Sequence, residues 1–177
     1  MNQDSTTNKI PKTARGKQTR DKLLRAAEAE FGDKGFHAVG IQDITRRAGV
    51  ALGTFYVYFE SKEEIFRALV SFMSQRVRGW VAERVADAPD RLAAERKGLE
   101  AFLEFTREHP GLYRIISEAE FVARDAFVEH YMGFAKAYRG NLEAAGKRGD
   151  IRKGDYEVWS WAIMGMMVLL GLRYADW

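Results

Sequence analysis

Cysteine is absent from this 177-residue chain, and the absence excludes two classes of structure. Disulfide frameworks and thiolate metal sites both require cysteine side chains. A chain without cysteine suits a reducing compartment, so a cytoplasmic location is expected. With 46% hydrophobic and 30% charged residues, the composition is typical of a globular protein and excludes a disordered or fibrous one.

The sequence also lacks the patterns that carry catalysis or hold cofactors. Its three histidines, His37, His109 and His130, lie far apart and form no ligand pair of the H-x-x-x-H type. There is no nucleophile elbow, no phosphate-binding loop and no dinucleotide-binding glycine pattern after a strand. We therefore expect no metal, no cofactor and no enzymatic activity.

Long apolar runs are missing as well. The most apolar segment, residues 158–172, spans fifteen residues and is interrupted by Ser160 and two glycines. It is shorter than the roughly 20 residues that a membrane-spanning helix needs, and the N-terminus has no signal-peptide core. We expect no membrane partner.

The same apolar segment predicts an interface between subunits. A helix that is hydrophobic on all sides must be buried on more than one side. In a small domain, a second buried side indicates a partner subunit. The alternative is burial in a core within one chain.

Positive charge is concentrated in the N-terminal third. Residues 1–59 contain ten Lys or Arg against six acids, whereas the remainder has 18 basic and 19 acidic residues. Residues 9–25 alone hold seven basic residues and one acid. Such a segment attracts a polyanion, although a merely solvated tail has the same composition. Residues 1–16 are interpreted as a flexible basic arm.

Helical periodicity predicts an all-α fold of two domains. Apolar spacing indicates helices over residues 17–34 and 41–48 and a short third helix from Leu52, with Gly32 and Gly35 ending the first. Two short helices joined by a tight turn after a longer helix are typical of a helix-turn-helix, assigned to residues 17–60. Residues 61–177 are predicted to form a second, helical domain, with helices near residues 61–86, 92–108, 124–145 and 156–177 and another starting near Gly111. Gly146 and Gly149 are expected to end the helix from residue 124.

The third short helix has two chemically different faces. At about 100° per residue, Leu52, Phe55 and Phe59 share the side that packs inward. The outward side carries hydroxyl, phenol and small apolar groups: Gly53, Thr54, Tyr56 and Val57, with Tyr58 between the two faces. Residues 49–59 contain no acid. These groups suit phosphate oxygens and base edges in a DNA major groove.

The next helix begins with a pattern that also favours phosphate. Ser61 and Glu64 have the spacing of a capping box, which places Lys62 in the first turn beside backbone N–H groups. The alternative is an exposed lysine without a role.

Three stretches, LLRAAEAEF at 23–31, IQDITRRAGV at 41–50 and GTFYVYFESKEEIF at 53–66, resemble the DNA-binding domain of the tetracycline-repressor (TetR/AcrR) family. The resemblance implies a homodimer whose recognition helices occupy successive major grooves of a palindromic double-stranded operator. It also implies that residues 61–177 serve effector binding and dimerisation. The C-terminal dimer interface would then join residues 158–172 to the helix that carries Phe127, Tyr131, Phe134 and Tyr138. By this resemblance Thr54, Tyr56, Tyr58 and Lys62 hold phosphates, and Gln42, Leu52, Gly53 and Val57 face base edges. The sequence departs from the family pattern at Gly40, where Thr is frequent, and at Gln42, where Arg is frequent.

Aromatic and charged side chains of the C-terminal part are candidates for binding a small apolar effector. They are Trp80, Phe105, Tyr113, Arg114, Glu118, Phe121, Tyr131 and Phe134. Residues 112–122 resemble a stretch of family members that sense acyl-CoA esters or aromatic acids. A CoA ester would need cations such as Arg76, Arg107, Arg114 or Arg124, whereas a cationic amphiphile would favour Glu118 or Glu120. An ordinary hydrophobic core is the alternative for each aromatic residue.

The resulting hypothesis is a dimeric, ligand-responsive transcriptional repressor. Two other classes stay open: a constitutive architectural DNA-binding protein without an effector, and an enzyme or scaffold whose basic end is incidental.

Overall fold

The structure, a computed structural model, describes residues 11–176, and within this range it consists of eight α-helices without a strand. The predicted all-α class is confirmed. The helices are α1 Ala14–Lys34, α2 Ile41–Ala48, α3 Leu52–Tyr58, α4 Lys62–Val85, α5 Arg91–Glu108, α6 Leu112–Val122, α7 Arg124–Arg148 and α8 Tyr156–Gly171, followed by a π-helical turn, Leu172–Asp176. Residues 1–10 of the predicted basic arm lie outside the described residues.

Helix α1 is longer at its start than the sequence pattern predicts. Thr13 caps it by accepting a hydrogen bond from the Gly16 amide at 3.1 Å, so residues 14–16, expected as part of the arm, are helical. At the other end, Gly35 terminates the helix with a φ of 82°, a conformation that favours glycine. Gly32, predicted as a second terminator, lies inside the helix, where a Cβ would approach the Gly111 Cα to 2.9 Å.

Helices α2 and α3 form the expected helix-turn-helix. Gly49 ends α2 in the left-handed conformation, with a φ of 66°, and the Val50 amide donates to the Thr45 carbonyl at 3.1 Å. This pair of features is a common way to end a helix within two residues. The tight turn places the start of α3 directly after α2.

One continuous hydrophobic core joins the first three helices, hereafter the head, to the C-terminal helices. Phe66 of α4 packs edge-on against Phe31 at 5.2 Å and Phe36 at 5.0 Å between ring centroids. Ile115 and Ala119 of α6 belong to the same buried cluster. The head is therefore packed against α4 and α6 and is not a separate globule on a linker.

The last two helices pack together but leave an apolar surface uncovered. Gly149, with a φ of 84°, ends α7, whereas Gly146, also expected to end it, lies inside the helix. In α8, Ser160 and Met164 are buried, but Val158 and Leu169 are exposed. The predicted alternative of complete burial within one chain is wrong, because one side of α8 faces outward. Within residues 11–176, no helix combines the length and hydropathy that crossing a bilayer requires.

Candidate nucleic-acid interface and internal cavity

Helix α3 presents an apolar inner face and a mixed outer face. Phe55 and Phe59 are fully buried, while Tyr56 is 49% exposed and Val57 60% exposed. The expectation that Leu52 packs inward is wrong, since its side chain is 42% exposed. Leu52 is the first residue of the helix, and the core that covers Phe55 one turn later does not reach it.

The remaining predicted contact residues surround this outer face. Gly53 and Gln42 are exposed, and Thr54 and Tyr58 are half-buried. No side chain comes near the space in front of the Gly53 Cα, so an approaching ligand would meet the bare backbone. The structure therefore brings seven predicted residues together at α2 and α3, and Lys62 follows at the start of α4.

Acidic side chains of α1 and α2 hold the head together. Asp43 accepts a hydrogen bond from the Gly40 amide at 2.9 Å, which, together with the nearby Arg46, lowers the pKa of its carboxyl. Glu30 is buried and accepts from Lys34 at 2.6 Å and from Arg47 at 3.1 Å. The Lys34 hydrogen bond is the main reason for its lowered pKa. Arg47 is thereby tied to α1.

Lys62 has a structural role that the sequence pattern did not predict. Its Nζ donates to the Phe36 carbonyl at 2.9 Å and to the Val39 carbonyl at 3.0 Å, and it lies 4.3 Å from the centroid of the Phe36 ring. An ammonium group has three N–H donors, so one is left for a phosphate. The alternative of a lysine without a role is wrong, because Lys62 secures the α1–α2 connection.

The predicted capping box at the start of α4 is half formed. Ser61 Oγ accepts from the Glu64 amide at 3.1 Å. The Glu64 carboxylate, however, accepts from the amide of Glu60 rather than that of Ser61.

A cavity of about 430 Å³ lies between α4, α5, α6, α7 and α8. Its volume falls within the range of small-molecule sites. Most of the wall is apolar: Val77, Val81, Val85, Phe102, Leu112, Ile116, Met164, Met167 and Val168. Three predicted effector residues, Tyr113, Tyr131 and Phe134, also line it.

The other five predicted effector residues lie outside the cavity wall. Trp80 and Phe105 pack edge-on against each other, 6.0 Å apart, and the Trp80 indole donates to the Ala101 carbonyl at 3.0 Å. They belong to the core or its margin, as the alternative interpretation expected. Phe121 is 86% exposed and faces away from the interior.

Arg114 and Glu118 point from α6 to the head instead of into the cavity. The guanidinium of Arg114 donates to the Asp33 carbonyl at 2.6 Å, and Glu118 Oε2 accepts from the Phe36 amide at 2.7 Å. Residues four apart lie on one side of a helix, and here that side faces the end of α1. The sequence pattern placed both among apolar groups but did not show which side of α6 faces inward.

The cations suggested for a CoA ester are engaged elsewhere or exposed. Arg76 binds Glu28 at 3.0 Å and Arg124 pairs with Glu120 at 3.4 Å. Arg107 is exposed. None of these arginines lines the cavity.

Sequence reasoning missed the charged residue that does line the cavity, Arg78 of α4. Its guanidinium lies 5.3 Å from the Phe134 ring centroid. Among residues 11–174, whose side chains the structure describes, no carboxylate forms a salt bridge with Arg78 and no group accepts a hydrogen bond from it. The available signal was its place beside Val77 and one turn before Val81, inside an apolar stripe.

His130 lines the cavity next to Arg78. Its Nδ1 lies 2.6 Å from Ser74 Oγ, and Ser74 Oγ also donates to the Val70 carbonyl at 2.6 Å. Burial, and secondarily the positive charge of Arg78, lowers the pKa of His130 from 6.5 to about 4. The imidazole is therefore uncharged at neutral pH, and Arg78 supplies the positive charge at this end of the cavity.

Another polar group of the cavity wall, the Tyr138 hydroxyl of α7, already has a hydrogen-bond partner. The Tyr138 hydroxyl donates to Glu95 Oε2 at 2.6 Å, and Glu95 pairs with Arg91. Burial, followed by the hydrogen bond to Glu95, raises the pKa of Tyr138. Tyr138, Glu95 and Arg91 thus pair with one another, whereas Arg78 has no such partner in the described part of the chain.

Residues 23–69 match the family model described as "Bacterial regulatory proteins, tetR family". This range covers the helix-turn-helix and the first turns of α4. The DNA-binding part of the chain therefore matches the tetR family. The predicted resemblance is thus confirmed for this part.

Individual relatives extend the comparison. The chain is 32% identical over 115 residues to the HTH-type transcriptional activator FasR of Mycolicibacterium smegmatis, covering 65% of this chain and 51% of FasR. It is 30% identical over 84 residues to a fatty acid metabolism regulator protein of Bacillus subtilis, covering 46% of this chain and 42% of that protein. The chain thus spans about half the length or less of these curated relatives.

Among solved structures, the fatty acid degradation regulator FadR of Bacillus halodurans superimposes with a TM-score of 0.78. The alignment covers 93% of this chain and 86% of that chain, at 18% sequence identity. This likeness shows that the tetR-type fold extends over the C-terminal helices.

Proposed function

We propose that this protein is a homodimeric transcriptional repressor that binds a palindromic operator and is released by a small apolar effector. The observation that carries the proposal is the outer face of α3, where exposed phenol and small apolar groups lie within a tetR-type helix-turn-helix. Phosphates fix a protein on DNA, and base edges give it specificity. Hydroxyl and phenol groups can bind phosphates, and small apolar groups can contact base edges.

The residues divide between these two tasks. Thr54, Tyr56 and Tyr58 hold phosphates in the proposed complex, and Lys62 adds its remaining N–H. Gln42, Leu52, Gly53 and Val57 face base edges. Gln pairs well with adenine, so an adenine is expected opposite Gln42.

Dimerisation is proposed through α7 and α8. Their outward surface carries exposed apolar side chains: Val128, Met132, Val158, Trp161, Met166, Leu169 and Leu170. A surface of this kind marks a protein interface. A two-fold dimer would place two α3 helices at successive major grooves, about 34 Å apart.

In the proposed mechanism, regulation begins when an effector binds in the cavity. Its wall includes Leu112 and Ile116 of α6, and the same helix contacts the head through Arg114 and Glu118. An occupant that shifts α6 therefore changes the position of the head. A coupling free energy on the order of 1–3 kcal/mol is enough for regulation, and operator DNA must weaken effector binding by the same factor.

The names of the relatives support an effector related to fatty acids, since two of them are described as regulators of fatty acid metabolism or degradation. FasR is described as an activator, so the direction of control needs its own measurement. A reporter gene behind the recovered operator should be silenced by the protein. A rise in expression would replace repression with activation.

The first prediction tests the DNA-binding face. Genomic DNA fragments bound by the full chain should yield one palindrome, and Tyr56→Ala should weaken binding to it by about tenfold or more, because a phosphate contact and packing are lost. Phe121→Ala is the matched control, since this aromatic residue is also exposed but lies far from α3 along the chain. Fluorescence anisotropy over a salt series measures both.

The proposal would be contradicted by DNA binding that has no sequence preference, depends steeply on salt and is weakened in neither variant. Such binding would mean that basic residues alone drive it. A constitutive architectural protein, the competing class, would bind the palindrome but show no response to any cavity ligand.

A further inference from the structure

We propose that Arg78 is the binding residue for the carboxylate of an amphiphilic effector whose apolar body fills the cavity. The inference deepens the proposed function, on which it rests for the role of the cavity as an effector site. It assigns a chemical class, a free carboxylic acid with an apolar chain, to a ligand that is otherwise undefined.

The surroundings of Arg78 point to an anion. A guanidinium is always charged, and a charge in an apolar wall is costly unless it is paired. The cavity wall around Arg78 is mainly aliphatic and aromatic. Arg78 is half-buried and has no acidic partner among residues 11–174, whose side chains the structure describes, so its positive charge is available to a ligand.

Arg78 also stands at the junction of two spaces. It lines the 430 Å³ apolar cavity and, together with His130, a neighbouring pocket of about 80 Å³ that contains Ser71, Gln75 and Glu129. A ligand bound at the junction keeps its chain in the apolar cavity and its head group at the polar edge. This division matches an amphiphile.

The guanidinium is positioned by packing, which leaves its donors available. It lies 5.3 Å from the Phe134 ring centroid and fits against Gly133, where a Cβ would come within 2.8 Å of its Nη1. A planar guanidinium binds a carboxylate through two parallel hydrogen bonds. The absence of a side chain at Gly133 makes room for the group in this position.

His130 lies beside Arg78 in the cavity wall. The Ser74 hydroxyl has one proton, which it donates to the Val70 carbonyl at 2.6 Å. The Nδ1–H of His130 therefore donates to Ser74 Oγ, also at 2.6 Å, and Nε2 carries no hydrogen. His130 thus donates no hydrogen bond to an anion, and Arg78 is the group that binds it.

A CoA thioester fits this end of the cavity poorly. The neighbouring pocket is about 80 Å³, and among the described residues Arg78 is the single Lys or Arg that lines either space, whereas the phosphates of CoA require several cations. Thioester formation also removes the carboxylate charge that Arg78 would bind. We therefore commit to the free acid.

Calorimetric titration of the full chain with dodecanoate, methyl dodecanoate and dodecanoyl-CoA tests the inference directly, without DNA. Wild type should bind dodecanoate, and Arg78→Met should lower that affinity by about tenfold to a hundredfold, the range of charged hydrogen bonds. Its affinity for the methyl ester should not fall. Arg84→Met is the matched control, because Arg84 lies on the same helix but pairs with Glu104 outside the cavity.

Gly133→Ala gives a second test that keeps the charge. The added methyl meets the far end of a flexible side chain, so the fold should persist while the guanidinium is displaced, and dodecanoate affinity should drop several-fold. Equal loss of acid and ester affinity in Arg78→Met, tightest binding of dodecanoyl-CoA, or no dodecanoate binding by wild type would each overturn the inference. Arg78-dependent dodecanoate binding that leaves operator affinity unchanged would support it and instead contradict the proposed function.

Discussion

At the scale of single residues, His130 shows how burial sets the charge of the cavity. A histidine in water has a pKa near 6.5, and here burial and the neighbouring Arg78 bring the pKa to about 4. The unfolded chain takes up a proton as pH falls through 6.5, while the folded chain does not until about pH 4. The contribution of His130 to the free energy of unfolding is therefore fully present above pH 6.5 and is lost progressively as the pH falls below it.

Replacing His130 by Asn should remove this pH dependence. The Asn amide can still donate to Ser74, but it does not titrate. Between pH 7 and pH 5 the wild type should lose about 2 kcal/mol more of its free energy of unfolding than the variant, by linkage. Urea denaturation at both values measures the difference, and all other titrating groups cancel in the comparison. Identical losses in the two proteins would show that the imidazole is not buried in its neutral form.

At the scale of elements, helix α6 is the direct link between the cavity and the head. Its inner side lines the cavity through Tyr113 and Ile116, and its other side carries Glu118, which accepts from the Phe36 amide at 2.7 Å. The close approach of Gly32 and Gly111 brings the start of this helix against α1. In the proposed mechanism, a displacement of α6 would reach the segment that precedes α2 through these contacts.

Glu118→Ala should loosen this link. The Phe36 amide would lose its acceptor, and an unsatisfied buried donor costs about 1–3 kcal/mol. Hydrogen exchange at the Phe36 amide should accelerate, and Glu118→Gln should restore protection because its carbonyl oxygen accepts the same bond. Glu120→Ala, on the same helix but exposed, is the control. Unchanged exchange in Glu118→Ala would show that the hydrogen bond does not hold the head.

At the scale of the whole molecule, the uncovered side of α8 is part of the surface proposed for dimerisation. Val158, Trp161 and Leu169 follow helical spacing along its outer side, and Gly165 has open space in front of its Cα. A neighbouring helix can come close at such a position. The apolar area belongs to α7 and α8 together and lies apart from the cavity wall.

Leu169→Glu should convert the proposed dimer to monomer. A carboxylate buried at an apolar interface without a partner is strongly unfavourable, so the dissociation constant should rise by orders of magnitude. Leu92→Glu is the control, because Leu92 is 77% exposed on α5, away from this surface. Light scattering coupled to size-exclusion chromatography gives the mass. A Leu169→Glu variant that stays dimeric would mean that another surface forms the interface.

The sequence predicts those features of the structure that depend on interactions between residues close together in the chain. The bounds of α2 follow from apolar spacing and from Gly49, and the starts of the later helices agree closely with those predicted, because caps and periodicity act over a few positions. Gly32 and Gly146 were misread as helix ends. Their small size serves close contacts with Gly111 and Tyr156, which are distant in sequence.

The sequence by itself determined the all-α class, the helix-turn-helix and the two-faced α3, since each depends on neighbours within one or two helical turns. Only the tertiary structure decided which side of α6 faces the cavity, that Lys62 binds the Phe36 and Val39 carbonyls, and that Arg78 and not Arg76 lines the cavity. These outcomes depend on how helices rotate when they pack. A rotation of one residue, about 100°, moves a side chain from the cavity to the surface, and the contacts that fix that rotation come from distant parts of the chain.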